Sequence, residues 1–154
     1  MNKINCIIPL LVYKDIAAAH DFLVKAFGFD EGRVDRNADG QPVHGEVHAG
    51  DTTIWLHRVT AEHGLDSPTI ASGGLVVHVD DVDAHYRRAS AAGAKIETEP
   101  QNQPYGQREY EARDLEGHRW WFATPRSAGS CRLTKRSSQP LVVYMCCCDS
   151  RLRC

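Results

Sequence analysis

The chain has 154 residues, of which 42% are hydrophobic and 25% charged, and this is the size and composition of one ordinary globular domain. The composition argues against a disordered chain, and no apolar run approaches the roughly 20 residues of a membrane-spanning helix. Lys and Arg number 18 against 20 Asp and Glu, so the net charge of -2 argues against a general nucleic-acid binder.

Charge and cysteine content divide the chain into two parts. Residues 1–125 contain 12 basic and 19 acidic side chains, whereas residues 126–154 contain six basic and one acidic side chain. Five of the six cysteines also lie in the second part, and Cys6 lies in the first. We therefore expect a globular domain over 1–125 and a basic, Cys-rich tail over 126–154. One cysteine cannot build a disulfide framework, which favours a reducing cytoplasm as the compartment.

The first half of the domain predicts a strand, a helix and three further strands. Residues 7–13 are β-branched and apolar, as strands are. Asp15 is suited to cap a helix, and Gly28 is suited to end it. Turn sequences at residues 39–40 and 50–51 separate the last three extended segments. Those segments lie near residues 29–36, 43–48 and 52–58. The apolar face of the helix consists of Ile16, Ala19, Phe22, Leu23, Ala26 and Phe27.

The second half repeats this order. It predicts a strand over 74–79, a helix capped by Asp80 or Asp81 and closed by Gly93, and strands near 94–98, 106–113 and 118–123. A shift of 65 residues superimposes several positions of the two halves. Among these pairs are Leu10 and Leu75, Val12 and Val77, Gly28 and Gly93, and Glu46 and Glu111. Trp55 falls on Trp120, or on Trp121 if the second hairpin turn is one residue longer.

This repetition predicts a duplicated module. The predicted fold is α+β, with two βαβββ repeats over 4–58 and 73–123. Four twisted strands can curl into a cup, so the eight strands of two adjacent modules predict an open, barrel-like cleft.

Two segments carry a resemblance to a known family. The first is Tyr13-Lys14-Asp15, followed by the helix that ends in Ala-Phe-Gly-Phe at 26–29. The second is Pro-Tyr-Gly-Gln-Arg-Glu-Tyr at 104–110, followed by Arg-Asp-Leu-Glu-Gly-His at 113–118. They resemble the vicinal oxygen chelate superfamily, which contains glyoxalase I, bleomycin-resistance proteins and extradiol dioxygenases. Tyr105 stands where Trp is usual, and Leu115 stands where Pro is usual. The resemblance implies a homodimer that holds a small molecule in clefts between its subunits.

Catalytic members of that superfamily bind a divalent metal through His and Glu at four strand positions. Carried over to this chain, those positions fall on Ile8, Gly74, Trp55 and Trp121, and none of these side chains can bind a divalent metal. The chain thus resembles the bleomycin-resistance branch, which binds its ligand without catalysis, and we expect no metal and no cofactor. The two indoles predict a pocket that stacks on a planar aromatic molecule. The alternative is that both Trp residues fill the core.

Three possible metal donors, His44, Glu46 and His48, alternate along one strand and share a face. If the turn is at residues 50–51, they pair with His57, Trp55 and Thr53, respectively. Ligands two apart on a strand lie about 6–7 Å apart, so the row cannot converge on one ion. A polar lining of a pocket, or a solvated strand face, is the alternative.

The strand near 106–113 carries two rows of polar side chains. Glu109 and Glu111 share one face with Arg113, whereas Arg108 and Tyr110 occupy the other face. Only one row can line the cleft, and the sequence does not decide which. Carboxylates in the cleft would favour a cationic ligand, and a solvated strand face is again the alternative.

These observations predict a metal-independent protein that binds a partly aromatic, cationic small molecule, as bleomycin-resistance proteins do, with no catalytic residue. One alternative is a metal-dependent lyase or isomerase of the glyoxalase type, or a dioxygenase, with non-standard ligands. Another is a structural or regulatory interaction module, which would have no small-molecule cleft. The predicted ligand-binding residues are Glu46, His48, Trp55, His57, Tyr105, Glu109, Glu111 and Trp121.

Overall fold

The computed structural model of the protein describes residues 6–60 and 74–126. These residues form two modules with the predicted element order. The first module consists of β1 (Leu10–Tyr13), α1 (Ile16–Phe27), β2 (Asp30–Arg36), β3 (Pro42–Ala49) and β4 (Thr52–Arg58). The second consists of β5 (Leu75–His78), α2 (Val82–Ala91), β6 (Lys95–Asn102), β7 (Gln107–Arg113) and β8 (Arg119–Pro125). The predicted tail lies outside the described residues, apart from Arg126. Neither described helix has the length and apolar character needed to cross a bilayer.

Each module folds into its own four-stranded sheet. The strand orders are β1-β4-β3-β2 and β5-β8-β7-β6. In both sheets the first strand of the module pairs in parallel with the last, and the remaining neighbours are antiparallel. The prediction of an α+β fold with two βαβββ modules is therefore confirmed, and the two sheets do not close into a barrel.

Helix α1 begins and ends at the predicted residues. The side chain of Asp15 accepts a hydrogen bond from the backbone N–H of Ala18, as an N-cap should. Gly28 follows the helix in the left-handed conformation with a φ of 75°, which residues other than glycine rarely adopt. All six residues of the predicted apolar face are buried.

Strand β1 is shorter than the predicted 7–13 and begins at Leu10. Pro9 has no backbone N–H, so it cannot donate to a neighbouring strand. Its carbonyl oxygen still accepts a hydrogen bond of 2.9 Å from the N–H of Trp55.

A shared core lies between the two modules. Helix α1 covers one face of the first sheet, and helix α2 covers one face of the second. The ring of Phe27 from α1 lies 5.6 Å from the ring of Trp120 and 4.8 Å from that of Phe122, both in β8. Because the helix-covered faces supply this core, the opposite face of each sheet points away from it. We call these opposite faces the outer faces.

Candidate functional site

The outer face of the first sheet carries the predicted row of polar residues. His44 lies opposite His57, Glu46 opposite Trp55, and His48 opposite Thr53, as the sequence predicted for a turn at residues 50–51. All these side chains are partly exposed, whereas the residues between them on β3 and β4 are buried against α1. Predicted site residues Glu46, Trp55 and His57 therefore lie together on one face.

Glu46 is held by two cationic or proton-donating neighbours. His44 Nε2 donates to Oε1 of Glu46 over 3.1 Å, and Arg33 of β2 approaches the same oxygen at 3.3 Å. The hydrogen bond from His44 lowers the pKa of Glu46 below its ordinary value; Arg33 also lowers it, and partial burial opposes both. Glu46 is therefore an ionised carboxylate at neutral pH, and its charge is already partly neutralised.

Three rings pack beside this carboxylate. The ring of His44 lies edge-on to Trp55 at 5.6 Å and edge-on to His57 at 5.1 Å. The rings of Trp55 and His57 are almost parallel, with 10° between their planes and 6.1 Å between their centres. Leu10 of β1 lies next to Trp55 on the other side and is 41% exposed. The outer face thus offers an indole between an aliphatic side chain and a carboxylate.

The second sheet has the same arrangement around Trp121. Trp121 lies opposite Glu111 on β7 and beside Val76 on β5, which is 60% exposed. Trp120 is fully buried in the core. Trp121 is therefore the structural counterpart of Trp55, since each lies opposite a glutamate. The turn between β7 and β8 is therefore longer than the turn between β3 and β4. The predicted alignment of Trp55 with Trp121 requires this difference.

The structure also decides which row of β7 faces outward. Tyr110 is fully buried, and Arg108 forms two hydrogen bonds of 2.7 and 2.8 Å with Asp83 of α2. These two residues therefore face the helix, and Glu109 and Glu111 lie on the outer face. Tyr105, from the turn before β7, is 58% exposed and donates its hydroxyl proton to Glu109.

His48 lies at the end of this row, next to the turn between β3 and β4. Its ring contacts the hydroxyl of Thr53 at 3.1 Å and lines a cavity of about 550 Å³ between the modules. His85 and Arg88 also line this cavity, but His85 donates to the carbonyl of Phe27 and Arg88 binds the carbonyls at the end of α1. Because these groups already hold the modules together, the outer faces are the better candidate site.

The positions that the resemblance assigns to metal ligands do not fit a metal. Ile8, Trp55 and Trp121 present hydrocarbon or indole, and Gly74 has no side chain. A Cβ atom added to Gly74 would lie 2.8 Å from Cζ3 of Trp121, so a larger side chain has no room there. Nor do three His, Cys, Asp or Glu side chains within 6–60 and 74–126 converge in a metal-binding group.

Sequence reasoning missed three residues of these faces: Arg33, His44 as the partner of Glu46, and Arg119. Arg119 lies 2.8 Å from Glu111, and its guanidinium carbon lies 5.5 Å from the centre of the Trp121 ring. Strand alternation could have identified Arg119 from the sequence. Arg119 precedes Trp121 by two residues on the same strand, so both side chains lie on the same face.

Comparison with known proteins identifies the family. A family model described as the glyoxalase/bleomycin resistance protein/dioxygenase superfamily matches residues 3–122. An uncharacterized protein of Mycobacterium bovis is 33% identical over 124 residues, which are 76% of this chain and 81% of that protein. The crystal structure of TioX from Micromonospora sp. ML1 is 34% identical, with a TM-score of 0.64, and the match covers 79% of this chain and 98% of TioX.

A second solved structure has the same fold at lower identity. TnmS3 from Streptomyces sp. CB03234, described as an antibiotic binding protein, is 24% identical with a TM-score of 0.65. The match covers 81% of this chain and 98% of TnmS3. The two βαβββ modules and the match over residues 3–122 agree with the resemblance predicted from the sequence. The chain belongs to the glyoxalase/bleomycin resistance protein/dioxygenase superfamily.

Proposed function

We propose that this protein binds a partly aromatic, cationic small molecule on its outer faces and sequesters it without chemical change. The observation that carries the proposal is the indole–carboxylate pair on each sheet, Trp55 with Glu46 and Trp121 with Glu111. An indole face attracts planar and cationic groups, and a carboxylate beside it adds a charged hydrogen-bond acceptor. TnmS3, described as an antibiotic binding protein, supports a ligand of antibiotic size and chemistry.

Metal independence is part of this proposal. It rests on the donor chemistry of the four carried-over positions, which offer neither imidazole nor carboxylate. Elemental analysis of protein purified without chelator tests it, and a stoichiometric divalent metal would contradict it. Conversion of a hemithioacetal by the same preparation would favour the alternative of a glyoxalase-type lyase or isomerase.

We also propose a cytoplasmic homodimer in which the outer face of one subunit closes over that of its partner. Leu10 and Val76 leave apolar surface exposed beside each indole, and a second sheet would cover it. Within the part of the chain that the structure describes, Cys6 is an exposed free thiol, which fits a reducing compartment. Light scattering of the full chain, with and without ligand, tests the dimer. A monomer under both conditions would contradict it.

Binding is tested by titration with bleomycin, with proflavine as a planar aromatic cation, and with phenazine as its uncharged counterpart. We expect saturable binding of the cations and weaker binding of phenazine. Trp55→Phe and Trp121→Phe should each weaken binding by about threefold or more. Tyr86→Phe on α2 serves as the control and should leave the affinity unchanged. Absence of binding to all three compounds would contradict the proposal and favour an interaction module.

A further inference from the structure

Arg119 occupies the indole–carboxylate pair of the second sheet. Its guanidinium carbon lies 5.5 Å from the centre of the Trp121 ring, and its Nε lies 2.8 Å from Oε1 of Glu111. This combination of a cation over an indole and beside a carboxylate is the contact set that the proposed ligand would make. The site therefore already contains a planar cation that belongs to the chain itself.

Arg119 is held less firmly than its neighbours. Arg108 makes two hydrogen bonds with Asp83, and Arg113 donates to Glu97 and to the carbonyl of Gly117. Arg119 Nε is buried and has no hydrogen-bond partner within 6–60 and 74–126, so its contact of 2.8 Å with Oε1 of Glu111 is an ion pair only. Its side chain is also 36% exposed, against 15% for Arg113.

The first sheet differs, because Glu46 is held by a ring of its own aromatic cluster as well as by the exposed Arg33. The carboxylate of Glu46 receives a hydrogen bond from His44, whose ring is itself packed against both Trp55 and His57. Displacing His44 would disturb all three contacts. Displacing Arg119 would break one ion pair and one contact with the indole, and the Arg119 side chain is 36% exposed.

We infer that Trp121 and Glu111 form the cation-binding subsite of this protein, and that Arg119 occupies this subsite in the free protein and is displaced by the cationic group of the ligand. This inference rests on the proposed function and deepens it. It identifies the ligand group as a planar cation, such as an amidinium, a guanidinium or a protonated aminoaromatic ring. Arg119 thus acts as an internal competitor that lowers the affinity for weakly charged or non-planar compounds.

The decisive variant is Arg119→Met, which keeps an unbranched apolar stem and removes the charge. Because the competing cation is gone and Glu111 is left without its partner, we expect proflavine to bind about fivefold or more tightly than to the wild type. Arg58→Met, an equal charge change at an exposed strand end of the first sheet, is the matched control and should change the affinity less than twofold. In the double variant Arg119→Met/Glu111→Gln, the increase in affinity for proflavine should be lost.

The outcomes separate this inference from the proposed function. If wild-type protein binds proflavine and Arg119→Met binds it equally or more weakly, the inference is wrong and the proposed function stands. If only the variant binds proflavine, the inference is supported. If neither binds proflavine while bleomycin binds the wild type, the inference again fails and the proposed function does not.

A second measurement needs no ligand. In a Trp55→Phe background the fluorescence accessible to quencher comes from Trp121, since Trp120 is fully buried. Arg119→Met should raise quenching by acrylamide about twofold, because the guanidinium no longer covers the indole. Unchanged quenching, with native secondary structure retained, would show that Arg119 does not cover Trp121 in solution and would overturn the inference.

Discussion

The hydroxyl of Tyr13 donates a hydrogen bond of 2.7 Å to Oδ2 of Asp114, although 101 positions separate the two residues. The same carboxylate accepts hydrogen bonds from Trp120 Nε1 at 3.1 Å and His118 Nδ1 at 3.2 Å. Tyr13 and Asp114 belong to the two segments that carry the family resemblance. These segments therefore meet in the folded protein, where they join the first module to the second.

Asp114→Asn should destabilise the protein. The side chain of Asp114 is buried, and replacing its charge by a neutral amide weakens several charge-assisted hydrogen bonds at once. We expect the free energy of unfolding at pH 7 to fall by about 2–3 kcal/mol, measured by urea denaturation. Asp39→Asn, in an exposed turn, is the control. A loss as small as that of the control would show that the junction contributes little.

Asp114 should also affect how the free energy of unfolding changes at acidic pH. Burial alone would raise the pKa of Asp114, but hydrogen bonds from His118, Tyr13 and Trp120 outweigh it and hold the pKa below its ordinary value of 3.8. The carboxylate therefore contributes stability above pH 3.8, and this contribution is lost as the pH falls through the lower folded pKa. Between pH 6 and pH 2, the free energy of unfolding measured by denaturation should decline less steeply for Asp114→Asn than for the wild type. Equal slopes would contradict this.

His85 predicts a second pH dependence, at a milder pH. Its Nε2–H donates to the carbonyl of Phe27, so its Nδ1 accepts from the hydroxyl of Tyr110, both at 2.7 Å. Burial lowers the pKa of His85 below 6.5 and Arg88 lowers it further, against the opposing effect of the bond to Phe27. Since the unfolded chain takes up the proton first, stability should fall as the pH drops below about 6.5.

The variant His85→Gln isolates this contribution. Its unfolding free energy should change less than that of the wild type between pH 7.5 and pH 5.5, in urea titrations at both pH values. His78→Gln, at an exposed position on β5, should keep the wild-type change. If the unfolding free energy of His85→Gln changed with pH as much as that of the wild type, the pH dependence would belong to other groups.

Glu116 stabilises the start of α1 from the other module. Its carboxylate accepts hydrogen bonds of 2.9 Å from the backbone N–H groups of Lys14 and Asp15. Negative charge near a helix N-terminus also interacts favourably with the helix dipole. Glu116→Ala should therefore lower the free energy of unfolding by about 1–2 kcal/mol, whereas Glu31→Ala at an exposed site on β2 should have little effect. Equal effects in the two variants would refute this role for Glu116.

Gly74 leaves space that Trp121 needs. A Cβ atom at this position would collide with the backbone oxygen of Arg119 and lie 2.8 Å from the Trp121 ring. Gly74→Ala should cost about 1–3 kcal/mol of stability and shift the Trp fluorescence. Gly40→Ala, where a Cβ would meet nothing within 4 Å, should show only the smaller cost of its left-handed backbone. Because a side chain at residue 74 would clash with Arg119 and Trp121, Gly74→His should not create a metal site. Unchanged fluorescence in Gly74→Ala would count against this clash.

Much of the fold was predictable because its signals are local. The N-cap at Asp15, the left-handed Gly28 and the apolar spacing between them fixed α1, and the two-residue turn at 50–51 set the register of Glu46 opposite Trp55. The start of β1 was misplaced because β-branched residues continue through Pro9, which cannot donate to a sheet. The eight predicted ligand-binding residues stay a prediction. Seven of them lie on the outer faces, where His48 also borders the cavity between the modules, and Tyr105 lies in the turn before β7.

The sequence by itself determined the two repeated modules and the register of β3 on β4, because periodicity, caps and turns act between residues close together in the chain. Two motifs carried the family resemblance. Only the tertiary structure decided that Trp121 rather than Trp120 faces outward, that Glu109 and Glu111 share that face, and that Arg119 covers the indole. The last of these depends on how a long side chain with several rotamers is placed by neighbours on another strand. Strand alternation assigns a face to such a side chain, but its partner is selected by charge and distance in the folded sheet.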